Sequence, residues 1–141
     1  MNDKNTPALR EDIFGDFPPD MTPMARAVEI QNRTKSVVGW YEQQSTEPVF
    51  AKLQEEIGEL QAASNEGDST HIIEELGDVL FVATHMAQHL GIDPDIALNG
   101  AIAKFKSRLE YIETALNAQG LTMNKSLQPV MESLWGDSKN A

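Results

Sequence analysis

Apolar residues recur at intervals of three and four through the middle of the chain, and no segment alternates with a period of two over a useful length. Val49, Phe50, Leu53, Ile57 and Leu60 form one stripe. Ile72, Ile73, Leu76, Val79, Leu80, Ala83, Met86, Ala87 and Leu90 form a second, and Ile102, Phe105, Leu109, Ile112 and Leu116 a third. This is the repeat of helices that each bury one side against neighbours. End signals divide the stripes. Thr22-Pro23 opens a helix expected to run to about Tyr41. Thr46-Glu47-Pro48 opens a second, which ends near Asn65. A turn at Glu66-Gly67-Asp68 follows, and Asp68 or Ser69 caps the third. That helix runs through Leu90 and stops at Gly91, a residue able to take the left-handed conformation that ends helices. Asp93-Pro94 opens a fourth, ending near Gly120, and Pro129 to Trp135 reads as a short last helix. Connections of a few residues make successive helices antiparallel. The expected fold class is an all-α bundle.

Ahead of it, residues 1–21 read as an extended N-terminal arm, leaving one domain at 22–141. The arm is rich in Asp, Asn and Pro, and Pro18-Pro19 blocks a helix there. Two readings stand for its apolar residues Ile13, Phe14 and Phe17: they dock on the chain's own body or on a partner subunit, or they belong to a loose end.

The chain is 141 residues long, 40% hydrophobic and 23% charged, which suits one domain with a core. No apolar run reaches the roughly 18 residues of a membrane span, and residues 1–10 lack the apolar centre of a signal peptide. A cytoplasmic location without a membrane partner is the expectation. The absence of cysteine excludes disulfides, zinc-thiolate sites and cysteine nucleophiles. Eleven Lys and Arg face 22 Asp and Glu, a formal net charge of −11 that repels nucleic acid phosphates. Lys104, Lys106 and Arg108 do cluster, over about one helical turn, which suits a small ligand rather than a duplex. An anionic ligand on so acidic a chain needs a cation to screen it.

Two acidic strings supply a place for one. The second helix carries Glu55-Glu56-Ile57-Gly58-Glu59 and the third Glu74-Glu75-Leu76-Gly77-Asp78. Residues three apart lie on neighbouring turns, so Glu56 pairs with Glu59 and Glu75 with Asp78. Glu56 lies about 70° and Glu75 about 80° from the centre of its apolar stripe. On antiparallel neighbours, the two pairs converge along one groove beside the buried seam. Four ionised carboxylates held close repel, and a hard divalent cation with oxygen ligands resolves the repulsion. Neither pair has an obvious Lys or Arg partner four residues on. Against this stands the plainer reading of solvated Glu-rich helix faces, which one pair alone would favour. His71, Asp78, His85 and His89 fall within about 40° of one another around the third helix. Neither acidic pair continues into the Glu-x-x-His motif of bundle di-iron sites. An exposed or subunit-contact face is therefore expected there.

Lys52-Leu-Gln-Glu-Glu-Ile-Gly-Glu-Leu60 followed by Glu74-Glu-Leu-Gly-Asp-Val-Leu-Phe81 resembles the MazG family of nucleoside triphosphate pyrophosphohydrolases. That family carries EExxE, a spacer and ExxD. The likeness continues through His89-Leu-Gly-Ile-Asp-Pro-Asp95, Lys104-Phe-x-x-Arg108 and Leu134-Trp135, covering roughly residues 22 to 136. It implies a four-helix core, usually an obligate homo-oligomer and most often a dimer. It also implies Mg²⁺-dependent cleavage of a nucleoside triphosphate, NTP or dNTP, between the α and β phosphates, with Mn²⁺ as a substitute. Nucleotide-pool house-cleaning fits such an activity. By the same resemblance the metal ligands, and through the metal the catalytic residues, are Glu56, Glu59, Glu75 and Asp78. Lys104 and Arg108 match residues that hold the triphosphate, and Lys52, one turn before Glu56, is placed to reach a phosphate too. Trp135 matches a tryptophan near the nucleobase, with packing into the core as the alternative; Trp40 reads as a core residue, with the base pocket as the alternative. The chain departs from the family at Ile102, where Asn is common, and at Gly39-Trp40-Tyr41-Glu42-Gln43-Gln44, which does not follow the usual segment before the acidic motif. Rival functions are hydrolysis of another phosphoanhydride, of dUTP, dCTP or phosphoribosyl-ATP type, and non-catalytic nucleotide binding by a helical module.

Overall fold

A computed structural model describes residues 15–35, 37–38 and 45–141. It contains α1 (Pro23–Thr34), α2 (Glu47–Glu66), α3 (Ser69–Leu90), α4 (Pro94–Asn117), a 3-10 turn (Lys125–Leu127) and α5 (Gln128–Ser138). No strand occurs among the described residues, so the all-α expectation holds. No helix among them is long and apolar enough to cross a membrane.

The helix starts follow from short polar side chains. Thr22 Oγ1 accepts from the Ala25 N–H at 3.1 Å while Pro23 occupies the first turn, where its missing N–H costs nothing. The same hydroxyl donates to Asp95 Oδ2 at 2.5 Å. Asp68 caps α3, its Oδ1 accepting from Thr70 N at 3.0 Å and His71 N at 3.5 Å. Gly67 and Gly91 end α2 and α3 with φ of 78° and 67°, a region that L side chains enter only with strain.

α1 is shorter than expected. It ends at Thr34, whose hydroxyl donates back to the Ile30 carbonyl at 2.8 Å. The N–H groups of Val37 and Val38 both close on the Thr34 carbonyl, at 2.9 and 2.7 Å. Back-bonding and β-branched side chains both weigh against further helix at this point. The expected end at Tyr41 lies outside the described residues. α4 likewise stops at Asn117, before Gly120 (φ 73°).

The chain divides into two compact units, Met1–Asp95 and Ile96–Ala141. In the first, α3 is central: α2 lies along it, joined by the two-residue turn at Gly67 and Asp68, and α1 packs on it as well. Val49, Ala63 and Val82 are buried there. Gln31 of α1 is buried too, its Nε2 donating to the Phe81 carbonyl at 3.1 Å and to Thr84 Oγ1 at 3.3 Å. The last residues of the arm that are described bind α1: the Arg33 guanidinium donates to the Gly15 carbonyl at 2.8 Å and lies over the Phe17 ring at 4.6 Å. Ile13 and Phe14 lie outside the described residues. In the second unit Ile112 and Leu116 are buried, and the Phe105 and Trp135 rings meet with centroids 5.6 Å apart.

The apolar stripes are buried less fully than their periodicity suggests. Phe50, Ile57, Ile73, Leu76, Leu80 and Phe81 are exposed, Ile73 by 72%. The stripe on α3 spans both Ile72 and Ile73 and both Val79 and Leu80, which makes it wider than one line of helix contact can cover.

Candidate metal centre

The α2–α3 hairpin brings Glu56, Glu75 and Asp78 together, with one carboxylate oxygen of each lying within 4.8 Å of the others. Three of the four carboxylates singled out by sequence therefore share one point. Glu56 is buried, Glu75 half-buried and Asp78 exposed, so the cluster reaches from the seam of the hairpin to its surface.

The two glutamates are held alike. Lys52, one turn before Glu56 on α2, places Nζ 2.9 Å from Glu56 Oε1. His71, one turn before Glu75 on α3, places Nε2 3.1 Å from Glu75 Oε1. In each case Oε2 is buried and has no hydrogen-bond partner. Buried polar atoms in folded proteins are almost always paired. Three clustered carboxylates, two of them with an orphaned buried oxygen, form a hard, all-oxygen donor set, which fits a divalent cation of the Mg²⁺ or Ca²⁺ type. The acidic cluster could thus bind a metal ion.

Glu59 stands outside that trio and is exposed, yet it belongs to the same electrostatic unit. The Glu56 carboxylate, one turn away on the same helix, pushes the Glu59 carboxyl above its ordinary range, and Glu75 adds repulsion. Crowding of like charges favours the protonated form of such a carboxyl, and a cation relieves it. Glu55 also stands outside the trio and pairs with Lys52 at 3.2 Å.

Two expectations need correction. The acidic pairs are not without a basic partner: Lys52 lies four residues before Glu56 and binds both Glu56 and Glu55, whose hydrogen bonds raise its pKa. Nor do the histidines share an exposed face. His85 is 9% exposed, and burial pushes its pKa down, with the nearby His89 adding to the effect. His71 sits at the turn end of the hairpin, with Nδ1 3.1 Å from Glu66 Oε2 and Nε2 on Glu75. The Glu66 hydrogen bond, more than that of Glu75, raises its pKa against a smaller opposing effect of burial. Glu66 was missed by sequence reading, and His71 was set on an exposed or subunit-contact face, although its four-residue spacing from Glu75 was there to be read.

In the second unit Lys104 is exposed and Lys106 pairs with Glu110 at 3.6 Å. The Arg108 guanidinium lies over the Trp135 indole, 5.4 Å from the ring centroid. Trp135 is half-buried between Arg108 and Phe105, so it is neither sealed in a core nor bare. Trp40 lies outside the described residues.

Fold and site together define an all-α chain whose candidate chemistry rests on carboxylates from two adjoining helices. The chain belongs to the phosphoribosyl-ATP pyrophosphohydrolase family, whose model matches residues 27–103, more than half of its length. It is also similar to the nucleoside triphosphate pyrophosphohydrolase of Escherichia coli K12, being 33% identical over 126 residues that make up 88% of this chain and 47% of the relative. The nucleoside triphosphate pyrophosphohydrolase/pyrophosphatase MazG of Thermotoga maritima is 28% identical over 126 residues, 89% of this chain and 48% of that protein. The chain spans about half the length of the curated relatives it matches.

Proposed function

We propose that this chain is a nucleoside triphosphate pyrophosphohydrolase that works with Mg²⁺, for which Mn²⁺ can substitute, and that releases a nucleoside monophosphate and pyrophosphate. The observation that carries the reading is the pair of buried, unpartnered oxygens, Glu56 Oε2 and Glu75 Oε2, beside Asp78. Similarity to two relatives named for this activity supports it. Glu56, Glu75 and Asp78 hold the metal in this reading, and Glu59 joins them once the cation removes its repulsion with Glu56. The bound metal would polarise a phosphoryl oxygen and acidify a water.

The chain's own residues do the rest. The carboxylates fix where the cation sits and hence which phosphate it meets. Lys104 and Arg108 are the proposed phosphate contacts, one a point charge and the other a forked donor steadied by the Trp135 face. Lys52 meets phosphate from within the carboxylate cluster, where it already balances Glu55 and Glu56. Trp135 is proposed for the base, with Trp40 as the alternative. We further propose a homodimer or higher homo-oligomer, supported by the exposed apolar residues of α2 and α3, and a cytoplasmic location beside the nucleotide pool.

A second reading, hydrolysis of phosphoribosyl-ATP, is favoured by the matched family's description. Pyrophosphate release measured with Mg²⁺ over a panel of canonical and modified triphosphates and phosphoribosyl-ATP decides between them. The expected result is turnover of triphosphates, lost by at least about 10²-fold in the double variant Glu75→Gln, Asp78→Asn with its helicity intact. Wild-type turnover by that variant rejects the site, and turnover of phosphoribosyl-ATP alone selects the second reading.

A further inference from the structure

We infer that His71 is a positioning residue for the metal centre: its ring holds one oxygen of Glu75 so that the other is left facing the cation. This rests on the metal-site reading above and adds to it a residue on which neither the acidic motif nor the basic residues of α4 bear. The geometry runs through three groups. Glu66, at the C-terminal end of α2, presents Oε2 to Nδ1 at 3.1 Å. On the other side of the ring, Nε2 meets Glu75 Oε1 at 3.1 Å. Glu75 Oε2 is then the buried atom without a partner.

A Glu side chain in a helix has three rotatable bonds, and its carboxylate is free to turn unless one oxygen is fixed. His71 fixes it from the same helix, four residues back, where the i,i+4 geometry brings the two side chains together. The turn at Gly67 and Asp68 fixes the ring in its turn, because it carries Glu66 back across to α3. The Lys52 contact to Glu56 Oε1 does for α2 what His71 does for α3, with Glu56 Oε2 again left over. Outer partners of metal-binding carboxylates act in this way, and their loss costs about 10–100-fold in metal affinity.

The test is Mn²⁺ affinity, read from the electron paramagnetic resonance signal of free Mn²⁺, for wild type, His71→Ala, His71→Gln, Glu66→Ala and the Glu75→Gln, Asp78→Asn double variant. Thermal unfolding is measured without metal for each. The expected result is Mn²⁺ binding about tenfold weaker or more in His71→Ala at unchanged metal-free unfolding temperature, and most of it restored in His71→Gln, whose amide keeps an N–H donor. The Mg²⁺ concentration giving half-maximal rate should rise in His71→Ala, while KM for nucleotide at saturating Mg²⁺ stays put. Where His71→Ala does not fold, Glu66→Ala, on an exposed side chain, carries the comparison and should weaken Mn²⁺ binding severalfold. Wild-type Mn²⁺ affinity in His71→Ala, or in Glu66→Ala where that variant stands in, overturns the inference and leaves the metal site standing. No Mn²⁺ binding by wild type, or undiminished binding by the double variant, overturns both.

Discussion

His85 lies in the second half of α3 with little of its surface exposed, and burial penalises its charged form. Its folded pKa is below the ordinary 6.5, so the unfolded chain takes up its proton first as the pH falls. The stabilising contribution is therefore complete above about 6.5 and is lost progressively as the pH drops from there towards the lowered folded value. His71 and Glu59, both with raised pKa, act in the opposite sense, so wild type alone does not isolate His85. The difference between wild type and His85→Asn does. Denaturant midpoints at pH 7.5 and 5.5 should fall more in wild type than in His85→Asn; equal falls would reject the assignment. At this scale the sequence was partly legible. Glu56, Glu75 and Asp78 announce themselves by spacing along two apolar stripes. The buried state of His85 does not, because a histidine near the edge of a stripe reads equally well as exposed. Gln31 was invisible for a related reason: its partners, Phe81 O and Thr84 Oγ1, are 50 and 53 residues away.

At the scale of elements, caps were the most readable feature. Asp68 was named as one of two candidate caps of α3, and its Oδ1 does accept from Thr70 N and His71 N. Asp68→Ala should cost about 1 kcal/mol of unfolding free energy, measured by denaturant titration. It should also reduce Mn²⁺ affinity if fraying reaches the first turn, where His71 sits. The end at Gly91 was legible because a glycine follows a long apolar stripe and nothing competes with it. The end of α1 was not. Thr34, Val37 and Val38 are permissible in a helix, and only the bonds they make, Thr34 to Ile30 and both valine N–H groups to Thr34, reveal the stop. The carboxylate site survives that error because it depends on α2 and α3 alone.

For the whole molecule, periodicity reported the direction of each apolar stripe but not what covers it. Ile73, Leu76 and Leu80 repeat at three and four residues on α3, and all are exposed. Phe50 and Ile57 on α2 add to the apolar surface of the first unit. Contiguous apolar surface of this kind is what the proposed homo-oligomer would cover. Sedimentation velocity should show a species larger than one chain of 15.6 kDa, and Ile73→Asp should shift it towards the single chain. Monomeric wild type at micromolar concentration would reject the assembly.

The short link between α2 and α3 carries a last consequence. Only Gly67 and Asp68 separate the two helices, and His71 follows within one turn, so little slack exists in which a change of chain length could be absorbed. One residue added or removed between Asp68 and Glu75 would rotate everything downstream by about 100°, carrying Glu75 and Asp78 away from Glu56 together. Lineages descending from this chain can thus exchange side chains along the hairpin far more freely than they can gain or lose residues there.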